Sequence, residues 1–352
     1  MTPLKHFITG MELSRETMEN IVEDAIALKK ADGADGARNI SAEGPAKNKV
    51  LTAIFYNPSL RTLLSFQTGM QKLGGIANVL DMSQSRKLEY TPGAVMNGAA
   101  SEHLSEFIRV VCGYSDVVAI RKSDFIPASD NSQSLSTSRE EMLGDGFFEQ
   151  VLKYADKPII NMESNMFHPC QGLADVMTMK EVLGDVSKKK YVLTWAPHPK
   201  PLPLATPQSQ ILMPAMSGMD VVLACPEGFG LDASVCERAR VLSESAGGSF
   251  TIVRDQDEAL AGADIVCEKS WLSLEHFGDW AREKEVRDQY SDWQMTNAKM
   301  ALTNRAKFMH CLPVRRNVEV SDGVLDSVNS LIIREAENRV WAQMGLLRHV
   351  LS

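Results

Sequence analysis

No apolar run in this chain approaches the roughly 18 residues of a membrane span, and the N-terminus (Met1-Thr2-Pro3-Leu4-Lys5-His6-Phe7) lacks the apolar core of a signal peptide. The expectation is a soluble, cytoplasmic protein with no membrane partner. Excess positive charge is missing too: the formal net charge is −8, which argues against nucleic acid or an anionic membrane surface as partner. The six cysteines have no CxxC spacing, and several sit in apolar runs such as Val221-Val222-Leu223-Ala224-Cys225, so buried, reduced thiols are expected. Walker A, HExxH and GxSxG patterns are absent, which leaves metal-hydrolase and serine-hydrolase chemistry without support.

What is present is a long alternation of short β-rich runs and amphipathic segments. Strands are expected at Lys49–Tyr56, Ala77–Asp81, Val117–Arg121, Pro158–Met162, Tyr191–Trp195, Asp220–Cys225, Asp264–Lys269, Phe308–Leu312 and Leu331–Ile333. Helices are expected at Glu12–Lys30, His103–Gly113, Leu173–Leu183 and Ala336–Leu351. That order predicts an α/β protein with mainly parallel sheets flanked by helices. The length, 352 residues, exceeds one ordinary core and predicts two domains. They are placed at 1–162 and 163–334, with the final helix (335–352) returning to pack on the first. Ala31–Pro45 and Ser123–Ser138 read as loops.

Several strand ends carry chemistry. Ser59-Leu60-Arg61-Thr62 follows the strand ending at Tyr56 and opens a helix, where unpaired N–H groups and the positive end of the helix dipole gather. The segment reads either as a phosphate cradle or as an ordinary capped helix with an exposed arginine. His168-Pro169-Cys170-Gln171 opens another helix with an imidazole and a carboxamide one turn apart, and is equally consistent with a histidine capping its own helix. His310-Cys311-Leu312-Pro313 and the four-proline loop Thr194–Pro203 also occupy strand ends, where open α/β sheets hold ligands. Cys311 with His310 as base is a poor nucleophilic pair, because neighbours on an extended chain point apart. Lys269-Ser270-Trp271, Arg315-Arg316 and Arg339 place cations near the same edges. Gly228-Phe229-Gly230-Leu231-Asp232-Ala233 approximates a dinucleotide turn, but Pro226 and Glu227 precede it and it does not open the first βα unit.

In this order Ser59–Thr62, Arg121, His168–Gln171, His310–Pro313 and Arg339 closely resemble the aspartate/ornithine carbamoyltransferase family over nearly the whole chain. Lys269-Ser270-Trp271, Thr194–Pro203 and His310–Asn317 resemble its members acting on N-acylated ornithine, the acetyl and succinyl types of arginine biosynthesis. The resemblance implies two α/β domains, one for carbamoyl phosphate and one for the amino acid, in a homotrimer with active sites at subunit interfaces. It implies no metal or organic cofactor. Ser59, Leu60, Arg61 and Thr62 would hold the phosphate, with Arg339 beside them. Arg121, His168 and Gln171 would polarise the carbamoyl carbonyl, and backbone groups of Cys311 and Leu312 would fix its amide. Glu163, His198, Lys269 and Arg315 would bind the acylated amino acid.

Acetyl-type relatives carry a glutamate just before the pair matched by Glu102-His103, whereas this chain has Ser101, so N-succinylornithine is the favoured acceptor and N-acetylornithine the next. Two departures from the family stand out. Leu63 and Gln67 replace an arginine and a glutamate one turn apart, an i,i+4 pair lost from both sides. The loop Met82–Tyr90 has no tryptophan and offers Arg86 and Lys87 to reach a neighbouring subunit's site. These departures keep a second reading in play, a non-catalytic or differently specific carbamoyl-phosphate-binding paralogue. A weaker third is an NAD-dependent dehydrogenase built on Gly228.

Overall fold

The computed structural model describes residues 4–34, 44–82, 87–124 and 138–352. Arg86 and most of the two expected loops lie outside them. The chain forms two compact units. The first gathers the described residues of Met1–Ile126 and Glu140–Cys170 with Arg339–Ser352, and the second is essentially Gln171–Asn338. Residues 163–170 therefore group with the first unit, and 335–338 with the second.

The first unit is built on β1 (His6–Phe7), β2 (Val50–Phe55), β3 (Ile76–Asp81), β6 (Val117–Arg121) and β7 (Ile159–Glu163), with a small ribbon of β4 (Leu88–Glu89) and β5 (Glu102–His103). Its five-stranded sheet runs β1-β7-β6-β2-β3, every pair parallel. Central strands buried on both faces read as unbroken apolar runs, as in Val117–Arg121, where all five residues are buried. Ile54, Ile108, Val118, Ile120, Phe148 and Val151 belong to one apolar cluster. Because β2 is followed by β3 on one side and β6 lies on the other, the sheet changes direction between β2 and β6. The carboxyl ends flanking such a switch are the ligand crevice of open α/β sheets, and Ser59 and Arg121 come off those ends.

The second unit repeats the plan with β8 (Lys190–Trp195), β9 (Asp220–Ala224), β10 (Ser249–Val253), β11 (Ile265–Lys269) and β12 (Lys307–Met309). The order is β10-β9-β8-β11-β12, again all parallel. Its switch lies between β8 and β11, the strands that lead into the four-proline loop and into Lys269-Ser270. No helix of the described residues is long and apolar enough to cross a membrane, and all six cysteines are buried and outside any disulfide.

Two sequence expectations are corrected. Leu331–Ile333 forms no strand: Phe308 makes one bridge to Ser330, and the helix Ile332–Leu351 begins at once. Edge strand β10, absent from the expected set, pairs with β9 alone and mixes exposed with buried residues.

The C-terminal helix lies close against Arg15–Ala34 of the first unit. A Cβ on Gly345 would stand 2.6 Å from the Ile21 carbonyl oxygen and 3.2 Å from Ala25 Cβ. Replacing a helical glycine by alanine ordinarily gains about 1 kcal/mol, but overpacking a close contact costs about 1–3 kcal/mol. Backbone oxygen cannot swing aside, so the clash wins. Gly345→Ala should lower the unfolding midpoint in denaturant, although helix propensity alone predicts a rise.

Candidate functional site

In the first unit the helix Leu60–Lys72 is capped by Ser59, whose extended backbone (φ −157°, ψ 108°) turns its hydroxyl toward the Thr62 N–H. Ser59 Oγ donates to Thr62 Oγ1 at 3.0 Å, and Arg339 Nη2 donates to the same oxygen at 3.2 Å. With both acceptor positions of that hydroxyl engaged, its own hydrogen is the one it can direct to an anion. The cap thus organises the turn, and Thr62, 1% exposed, links it to the C-terminal helix.

Arg121, at the end of β6, forms a buried ion pair with Glu163, at the end of β7. His168 Nε2 lies 3.6 Å from the same carboxylate. Burial, then the charges of Arg339, Arg121 and Arg61, hold His168 well below the ordinary histidine range. It is therefore a neutral imidazole at physiological pH. The loop that delivers it is braced: Ser164 Oγ donates to Asp145, the Asn165 N–H donates to Asp145 at 3.0 Å, and the Asp124 N–H donates to Asn165 Oδ1 at 2.7 Å. Burial raises the Asp145 carboxyl to about 6 in spite of these donors.

In the second unit Gln171 Nε2 donates to Asp175 at 2.7 Å and to Glu335 at 3.0 Å. Both amide hydrogens are committed, so toward a further ligand Gln171 accepts. That is the opposite sense to the carbonyl-polarising donor expected from sequence. Glu335 also receives the His310 N–H at 2.9 Å, and His310 Nδ1 receives the Leu312 N–H at 2.9 Å. Leu312 adopts φ +55°, a left-handed conformation that a non-glycine residue keeps only where its surroundings over-determine it.

At the unit's switch point Arg315 Nε donates to His198 Nε2 at 2.9 Å, which assigns the imidazole proton to Nδ1, 2.8 Å from the Lys200 carbonyl. Beneath lies a residue the sequence reading missed, Glu319, 1% exposed. It accepts the Arg315 N–H at 2.7 Å and stands 3.8 Å from His310 Nε2. Burial alone would raise its carboxyl. His310, the Lys269 charge and the Arg315 N–H outweigh burial and bring it from 4.5 to about 2. Glu268, fully buried with neither carboxylate oxygen hydrogen-bonded, is pushed the other way by burial and by the Glu319 charge. An acid set among apolar neighbours, as in Val318-Glu319-Val320 and Val266-Cys267-Glu268, is the signal that would have flagged both.

The first unit thus gathers Ser59–Thr62, Arg121, Glu163, His168 and Arg339, and the second Gln171, Cys311, Leu312, His198, Lys269 and Arg315. Glu163, expected in the second domain, belongs to the first unit. Ser101 is exposed immediately before β5 and Lys87 is exposed before β4.

Two family models match the chain: the carbamoyl-P binding domain of aspartate/ornithine carbamoyltransferase over residues 5–181, and its Asp/Orn binding domain over residues 205–350. The N-acetylornithine carbamoyltransferase of Xanthomonas axonopodis pv. citri (strain 306) is 38% identical, covering 99% of this chain and 97% of its own. The N-succinylornithine carbamoyltransferase of Bacteroides fragilis (strain 638R) is 36% identical over 87% of this chain and 88% of its own. A crystal structure of acetylornithine transcarbamylase complexed with acetylcitrulline matches with a TM-score of 0.90 at 37% identity, covering 99% of this chain and 100% of that one.

Glu319 gives a signed pH prediction. Its folded value lies below its unfolded one, so between about 2 and 4.5 the unfolded chain holds more protons and stability rises with pH. Glu319→Gln should lose on the order of 3 kcal/mol at pH 7. The deficit against the parent should persist down to about pH 4.5 and shrink as pH falls toward 2. Denaturant midpoints of both proteins across that range measure it, and a deficit independent of pH would exclude the ionised carboxylate as its source.

Proposed function

The chain belongs to the aspartate/ornithine carbamoyltransferase family, and from that premise we propose that it carbamoylates the δ-amine of an N-acylated ornithine, with carbamoyl phosphate as donor. The observation that carries this reading is the first unit's cationic setting: three arginines bear on one neutral, buried imidazole beside a capped helix N-terminus. A dianionic leaving group suits the helix N-terminus, the Thr62 hydroxyl and Arg61. Arg121 and His168 would meet the carbamoyl oxygen as charge develops on it, with Arg121 held by Glu163. Gln171, committed as an acceptor, suits the carbamoyl NH2, together with the backbone of Cys311 and Leu312. Lys269 and Arg315, the latter held by His198, would supply the positive face that an acceptor's carboxylates require.

In the reaction the δ-nitrogen lone pair attacks the carbamoyl carbon, and the carbonyl electrons move onto oxygen. The C–O bond to phosphate then breaks as the carbonyl reforms, and the amine proton passes to a phosphate oxygen. No protein base is needed. The rate comes from holding the two reactants in attack geometry and from donors set around the developing oxyanion. The products are an N-acylcitrulline and phosphate, which fits a step of arginine biosynthesis.

For the acyl group, N-succinylornithine is favoured over N-acetylornithine because Ser101 puts no carboxylate where one would repel a succinyl terminus. Solved variants of N-acetyl-L-ornithine transcarbamylase in which a single glutamate is replaced are complexed with carbamyl phosphate and N-succinyl-L-norvaline. Against this stands the fuller coverage by the acetyl-type relative. A homotrimer is proposed as well. Leu60, Ile76 and Val95 of the first unit are each apolar and well exposed, and light scattering would read the mass.

A ureido-product assay across ornithine, N-acetylornithine, N-succinylornithine and aspartate tests the activity, and absence of product with every acceptor would sink it. Arg61→Gln removes a charge-assisted contact worth about 1.5–3 kcal/mol, so KM for carbamoyl phosphate should rise about 10- to 100-fold. Ser101→Glu should shift the succinyl-to-acetyl ratio of kcat/KM about tenfold toward acetyl, from like-charge repulsion of about 1–2 kcal/mol. An unchanged ratio would remove Ser101 from acyl selection.

A further inference from the structure

The turn Gly228-Phe229-Gly230, which the carbamoyl-transfer reading leaves unused, faces the segment that follows β11. Gly228 sits at φ +82°, and this bend leaves two successive carbonyls open to side-chain donors. Ser273 Oγ donates to the Gly228 oxygen at 2.6 Å. The Trp271 indole N–H donates to the Phe229 oxygen at 2.8 Å. Between them the Leu272 N–H donates to the Leu202 carbonyl at 2.9 Å, which ties the segment to the four-proline loop. The Trp195 indole N–H, from the end of β8, donates to the Trp271 carbonyl at 3.0 Å.

Ser270, Trp271, Leu272 and Ser273 are all at most 1% exposed. Behind them the helix Trp280–Arg287 buries an ion pair, Arg287 Nη2 to Glu283 Oε2 at 3.0 Å. Three consecutive residues are thus pinned to the Gly228–Gly230 turn and to the loop that follows β8.

We propose that Trp271 and Ser273, seated on the carbonyls of Phe229 and Gly228, are positioning residues that fix the acceptor-binding frame before the acceptor arrives. The inference rests on the acceptor reading of Lys269 and His198 given above. Lys269 is paired in register with Trp195, and the Leu202 bond ties the run after Lys269 to the loop that carries His198. Opening the segment would break these bonds and expose the buried Trp271 ring, unlike a loop that closes only on a ligand. A frame set in advance spares binding the cost of ordering it.

Hydrogen exchange read by mass spectrometry on the ligand-free full chain tests the first half of the proposal. Amides of 271–276 should be protected without ligand and little changed by adding N-succinylornithine or N-acetylornithine. Rapid exchange in the free protein that slows only on adding acceptor would overturn it. This arm needs no turnover, so it stands apart from a failure of the carbamoyltransferase assay.

Trp271→Phe, which keeps a ring and drops the N–H, and Ser273→Ala test the second half. Each should speed exchange in the segment and raise KM for the acceptor about tenfold, while KM for carbamoyl phosphate stays within about twofold. An acceptor KM unchanged in both variants, or an equal rise in both KM values, would reduce the two residues to general stabilisers. Should a variant fail to fold, the exchange of the parent protein decides.

Discussion

A buried imidazole held neutral by burial and by the charges of three arginines sets the terms for the first unit. Cations in a poorly solvated place are costly unless each has a partner, and the unit resolves the problem unevenly. Arg121 is met by the buried carboxylate of Glu163. Arg339 is tied to the Thr62 hydroxyl. His168 responds by staying neutral. The residual positive field is local, which lets a chain with a net charge of −8 accommodate the anion site proposed for it. Bracing by Asp145, Ser164 and Asn165 matters in the same terms, because it fixes the backbone that keeps the imidazole within that field.

The second unit solves a different electrostatic problem with buried acids. Asp175 and Glu335 take both hydrogens of the Gln171 amide, and this reverses the polarity the side chain can show a ligand. Glu319 stays ionised because Lys269, His310 and a backbone N–H surround it. Glu268, one residue from Lys269, has no comparable donors and is driven toward its neutral form. Fixed carboxylates of this kind orient cationic and imidazole side chains, so the chemistry of Arg315, His198 and Lys269 is set by residues behind them.

What the sequence revealed and what it hid divide along the range of the interactions. Strands β2, β6, β8 and β11 were legible because central parallel strands read as continuous apolar runs. The loops following them were legible because cap and turn chemistry is local: Ser59 before a helix, prolines after Trp195. Edge strand β10 escaped notice because its exposed face breaks the apolar run. Leu331–Ile333 reads as a strand by composition, yet helix contacts override the β preference of two adjacent isoleucines. The roles of Glu319 and Glu335 were illegible, since their partners lie on other elements. So was the boundary near Cys170, because the helix Pro169–Leu183 continues from one unit into the next.

The departure at Leu63 and Gln67 lies one turn from the helix start proposed above as a phosphate cradle, and the hydrogen bonds show what holds that turn. The cradle is held by the Ser59 cap at its start and by Arg339 from the C-terminal helix, and both bonds converge on Thr62. Neither runs through position 63 or 67. Both of those residues are half-buried on the helix body, where the missing ion pair would have added about 0.2–0.5 kcal/mol. A loss of that size is small beside the cap and the buried Thr62–Arg339 contact, each worth about 1 kcal/mol or more. The turn's hydrogen-bonded support comes from the helix cap and from a distant arginine, and neither of those bonds involves the pair one turn further along.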